Sequence, residues 1–136
     1  MSPRSLVVAL AVLALASVPA VLSAQAADTI DYATQVKPIL QKRCYACHGA
    51  LKHEAELRLD TAALMIKGGD SGAAIKPGDA AASLLVERIS AGDPSDRMPA
   101  EGDPLTAEQI ATLHAWIAQG AKAPADEQPE RDPRDH

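Results

Sequence analysis

The chain has 136 residues, enough for one domain rather than two. Its formal charge of -5, with 13 basic against 18 acidic residues, disfavours nucleic acid and anionic membrane surfaces as partners. Tyr32, Tyr45 and Trp116 are its only Phe, Tyr or Trp residues, so aliphatic side chains or a non-protein group must fill the centre.

Residues 1–26 have the layout of a secretory signal peptide. Arg4 supplies the positive charge, Leu6 to Leu22 is almost wholly apolar, and Ser23-Ala24-Gln25-Ala26 offers small residues for cleavage after Ala26. An uncleaved anchor is the other reading of this run. Cleavage removes Arg4 and no acid, leaving 12 basic against 18 acidic residues. No second long apolar run follows, so no stable membrane insertion is expected once the segment is removed.

Asp31 to Arg43 reads as a first helix, with Tyr32, Val36, Ile39 and Leu40 near one face and Pro38 delaying or bending it. Leu57 and Leu59 alternate as in an extended segment, and Asp60 or Thr61 caps a short helix that stops at Gly68-Gly69. Asp79 is placed to cap a helix over Ala80 to Ser90. Residues 91–104 form a loop punctuated by Pro94, Pro99, Gly102 and Pro104. Thr106 and Gln109 make a capping box for a last helix with Ile110, Leu113 and Ile117 on its inner stripe and Gly120 at its end. Residues 122–136 are charged and lack large apolar side chains, the composition of a disordered tail. The expected organisation is a signal peptide (1–26), one all-α domain with long loops (27–121) and that tail.

Cys44-Tyr45-Ala46-Cys47-His48 carries the chemistry. The spacing C-x-x-C-H is that of c-type haem attachment. Positions three and four apart share a helical face, so both thiols reach the two vinyl groups along one porphyrin edge and His48 reaches the iron. Two other readings stand beside it. A dithiol redox pair usually accompanies a βαβ pattern, which this chain lacks. Zinc held by Cys44, Cys47, His48 and His53 would depart from the two well-separated ligand pairs of structural sites.

For the second axial position the loop methionine Met98 is the first candidate. A thioether is a soft ligand, and Met/His ligation raises the reduction potential. Prolines 94, 99 and 104 restrict the loop around it. Met65 sits among apolar neighbours and reads as core. His53 lies too close to His48 in sequence to reach the other face, and His114 is the runner-up from the last helix. Arg97 is placed to pair with a haem propionate or to remain a solvated charge. A backbone carbonyl should orient the His48 ring, and the proline-bearing loop at Pro77 is the expected source.

The ordered set of motifs resembles the planctomycete-type cytochrome c domain, a branch of the class I cytochromes c. The resemblance runs from about Ile30 to Ala121. It rests on Val36-Lys37-Pro38-Ile39-Leu40 before the cysteine motif and Gly49, then Leu57-Arg58-Leu59-Asp60, Lys67-Gly68-Gly69 and Ser71-Gly72. Pro77-Gly78-Asp79, Ser83-Leu84-Leu85, Arg97-Met98-Pro99, Leu105-Thr106 and Trp116-Ile117 follow in order. It implies a class I helical fold around one haem c bonded to Cys44 and Cys47, with His48 and Met98 on the iron. The chain departs from the family pattern at Ala100, where a second proline is common, and at Ala55 and Glu56, where glycine is common.

These readings together make the chain an exported, periplasmic or equivalent, monohaem carrier of single electrons rather than an enzyme. Its donor and acceptor are expected to be separate redox proteins. The alternatives are a haem-based sensor and an interaction module of a surface redox complex.

Overall fold

The structure is a computed structural model that describes residues 28–135, so the signal-peptide segment lies outside the described residues. Its regular elements are all helical. A π-helical turn, Tyr32–Val36, runs into α1, Lys37–Arg43, followed by α2, Tyr45–His48. A 3-10 turn at Glu54–Glu56 precedes α3, Ala62–Lys67; α4, Leu84–Ser90, and α5, Ala107–Ala118, complete the set. Among the described residues there are only two isolated β-bridges and no sheet. No described helix is long and apolar enough to cross a membrane.

The first helical segment is divided for a reason visible in its sequence. Asp31 caps it by accepting from Thr34 N at 2.7 Å. Pro38 lacks an amide hydrogen and is tolerated in the first turn of α1, while the wider turn before it accommodates the missing donor. Thr61 caps α3 by accepting from Leu64 N at 3.1 Å, and Gly68, at φ 74°, ends it. The expected capping box opens α5: Gln109 N donates to Thr106 Oγ1 at 3.2 Å and Thr106 N to Gln109 Oε1 at 3.0 Å.

The helix expected from Ala80 begins only at Leu84. Asp79 does cap, but it caps a turn, accepting from Ala82 N at 3.1 Å. Buried Ser83 then interrupts the chain: its hydroxyl donates to Asp79 O at 2.8 Å and accepts from Lys76 N at the same distance. A serine that bonds nearby backbone in this way competes with helix extension.

The core lies where α5 meets the N-terminal helical segment and α4. Trp116 is 1 % exposed and stacks on Tyr32 with ring centroids 5.3 Å apart. Val36, Leu40, Met65, Leu113 and Ile117 pack in the same cluster, so Met65 is a core residue.

The charged segment after Ala121 has no regular element, yet polar bonds hold it to the domain. Trp116 Nε1 donates to Lys122 O at 2.9 Å. The Glu127 carboxylate accepts from Tyr32 Oη at 2.6 Å, Lys37 Nζ at 2.8 Å and Ala62 N at 3.0 Å. The segment has the composition of a disordered tail; these polar bonds, with Ala123 packed against the core, are its contacts with the domain.

Burial pushes the Glu127 carboxyl up, but the Lys37, Tyr32 and Ala62 donors outweigh it and hold the group below its ordinary value of 4.5. A carboxylate depressed by folding stabilises the fold above its unfolded pKa, and that contribution is lost as pH falls through the folded value. Glu127→Gln should therefore cost about 1–2 kcal/mol at pH 7, the scale of charge-assisted bonds near a surface. Urea midpoints of the two proteins should converge below pH 4; a constant gap across that range would contradict the assignment.

Candidate functional site

The Cys44–His48 motif is set by local backbone geometry. Cys44 N still donates to Leu40 O at 2.8 Å, but Cys44 itself leaves helical geometry at φ -125° and separates α1 from α2. The next turn closes with His48 N donating to Cys44 O at 2.9 Å. Gly49 follows because a Cβ there would collide with the Tyr45 carbonyl. No disulfide joins the two cysteines; Cys44 is half-buried and Cys47 exposed.

These residues face a cavity of about 630 Å³. Cys44, Cys47 and His48 line it together with Met98, Pro99 and Ala100 from the proline-rich loop. Leu40, Leu57, Leu59, Leu85, Ile89 and Leu113 supply an apolar wall drawn from α1, α4, α5 and the extended segment before α3. No aromatic side chain lines it. The scarcity of rings in the sequence thus has a structural counterpart in an apolar space beside the cysteine motif.

The structure separates the candidate ligands. His48 and Met98 line the cavity, whereas His53, His114 and Met65 do not. Met65 is fully buried in the core and His114 is exposed on α5. The ring of His53 lies against Gly49 O at 3.4 Å. Met98 is anchored through its backbone, with Met98 N donating to Arg88 O at 2.9 Å, and its side chain is 37 % exposed. Beside it, the buried Arg97 Nε has no hydrogen-bond partner, an unsatisfied donor of the kind an anionic group would satisfy. Arg97 itself does not line the cavity.

The carbonyl facing the His48 ring belongs to Leu57, not Pro77. Leu57 O lies 3.3 Å from His48 Nδ1, placed to accept its hydrogen and leave Nε2 for a metal. The Leu57–Leu59 segment lies beside the motif, with Leu59 N donating to His48 O at 2.9 Å. The Pro77 turn is committed elsewhere: Gly78 N donates to Ile117 O at 2.8 Å at the end of α5. Only the alternation of Leu57 and Leu59 hinted at a strand-like neighbour for the motif.

Between motif and carbonyl the chain makes a strained turn. Ala55 and Glu56 both have φ of 55°, the left-handed region that costs a residue with a Cβ about 1–2 kcal/mol. These are the positions at which the family pattern favours glycine. Ala55→Gly and Glu56→Gly should each stabilise the protein by about 0.5–1 kcal/mol, after allowing for the greater unfolded-state freedom of glycine. Urea unfolding checks this; a lowered midpoint would contradict the strain.

The two other chemistries proposed for the motif fare poorly. Burial pushes the Cys44 thiol up to about 11, the reverse of the depressed pKa that Cys44 would need as a redox nucleophile. Among the described residues no three His, Cys, Asp or Glu side chains are grouped to hold a metal ion, so the four-ligand zinc arrangement is not assembled.

An all-helical domain that presents C-x-x-C-H to an apolar cavity has the form of a cytochrome c domain. The family model described as planctomycete cytochrome C matches residues 44–102, which supports the resemblance read from the motifs. No curated protein and no solved structure matches it. The match supports a cytochrome function, with haem and iron as cofactors and electron transfer as the activity.

Proposed function

We propose that the chain is an exported, monohaem carrier of single electrons, with Cys44 and Cys47 as the covalent anchors and His48 and Met98 as the axial ligands. The observation that carries this is the sorting of candidates: of the histidines and methionines in the described residues, only His48 and Met98 share the cavity with both cysteines. When bound, the haem supplies a one-electron ferrous–ferric couple.

The protein's own part is positional. Leu57 O fixes the ring and tautomer of His48. Arg88 O holds the Met98 backbone, and Pro99 fixes its own φ and restricts Met98 before it. Leu85, Ile89 and Leu113 exclude water from the cavity wall, which keeps the local dielectric low and influences the potential. Arg4 and the apolar run to Leu22 support export with cleavage after Ala26, and N-terminal sequencing should begin at Ala27. Donor and acceptor would be separate redox proteins, for which the acidic surface favours basic patches.

The 37 % exposure of Met98 favours one alternative, a sensor in which this ligand is displaced. Carbon monoxide added to the ferrous protein separates the two. Slow or absent binding supports the carrier; rapid, complete binding supports the sensor.

A further inference from the structure

The extended segment from Leu57 to Asp60 is bonded on two sides. Toward the cysteine motif, Leu59 N donates to His48 O at 2.9 Å, and Leu57 O faces the His48 ring. Its other bonds go to the C-terminal segment. Glu130 N donates to the Asp60 carboxylate at 2.8 Å, and Arg58 Nη2 donates to Glu130 O at 2.8 Å. Arg58 Nε also donates to Asp60 Oδ1 at 2.9 Å. Asp60 has no solvent exposure, so its charge is stabilised by these donors rather than by water. Further along, Arg134 Nη2 donates to Leu51 O at 3.2 Å, on the far side of the strained turn at Ala55 and Glu56.

We infer that residues 127–134 form a strap that holds the Leu57 carbonyl against the His48 ring, with Arg58 and Asp60 as positioning residues for His48. The inference rests on the reading of His48 as an iron ligand. The carbonyl sits between a strained turn at residues 55–56 and the Arg58–Asp60–Glu130 bonds. Left-handed backbone at non-glycine residues persists only where its surroundings hold it. Release of the strap removes the anchor after the turn, so the turn relaxes and the carbonyl shifts away from the ring. A hydrogen bond donated by the distal ring nitrogen raises the basicity of a ligating imidazole and so favours ferric iron. Its weakening shifts the couple toward ferrous.

The test uses the haem-loaded protein and two variants, a chain ending at Ala125 and full-length Arg58→Gln. Midpoint potentials are measured in 1 M salt, where the screening length is about 3 Å. Each variant should shift the ferric–ferrous equilibrium at least threefold toward ferrous, about 30 mV upward for a one-electron couple. Amide exchange at Leu59 should accelerate in both. Arg58→Gln removes a positive charge, which by Coulomb's law alone would lower the potential, so a rise reports positioning rather than charge. Unchanged or lowered potentials in folded variants that keep the far-red sulfur-to-iron band overturn the strap's role. If the shortened chain does not fold, Arg58→Gln decides by the same criteria. An unmodified protein without a low-spin haem spectrum overturns the ligand reading and the inference with it, which is distinct from a failure confined to the variants.

Discussion

Met98→Ala is expected to abolish the far-red sulfur-to-iron band, lower the midpoint potential and let carbon monoxide reach the ferrous iron. The reason is the sorting of sulfur and imidazole side chains around the cavity. Met65 is buried in the core, and neither His53 nor His114 lines the cavity, so no described histidine or methionine stands ready as a substitute. Loss of a thioether ligand removes the donor that favours ferrous iron. The drop should be on the order of 0.1–0.3 V, within the ~0.8 V range that axial ligation spans. Met98→His should restore six ligands while leaving the potential low. A band and potential unchanged in Met98→Ala would assign the position to another sulfur ligand, with Met65, the other described methionine, the next to replace.

The second large effect is expected from Cys44→Ser combined with Cys47→Ser. Without thioether bonds, acid acetone should extract all haem, whereas the unmodified protein should keep it. The structural consequence should also be large. Without haem, the Leu40, Leu57, Leu59, Leu85, Ile89 and Leu113 side chains that line the cavity face water, which weakens the packing of α1, α4 and α5 around it. Circular dichroism and urea unfolding should show a broad transition at a low midpoint. A haem-free double variant as stable as the unmodified protein would contradict the view that haem completes the core.

Much of this was legible in the sequence because the signals were local. The cysteine motif, the Thr106–Gln109 capping box and the Thr61 cap each depend on residues within one turn of each other. The interruption at Ser83 was not legible, since it depends on a buried hydroxyl reaching two backbone groups in the folded turn. Nor was the Leu57 carbonyl, because backbone atoms leave no trace in side-chain pattern and Pro77 offered only stiffness. The segment from Lys122 has the composition of an unstructured tail. Its attachment through Glu127 and Glu130 relies on partners more than 60 residues away in sequence. Ala55 and Glu56 stood out as departures from a glycine-rich pattern, and the positive φ at both gives that departure a physical cost.

The central claim is that one haem is bonded to this chain through its two cysteines. Intact mass spectrometry of the exported protein under denaturing conditions tests it most directly. The account predicts the mass of the chain from Ala27 plus one haem. The mass of the bare chain would contradict it.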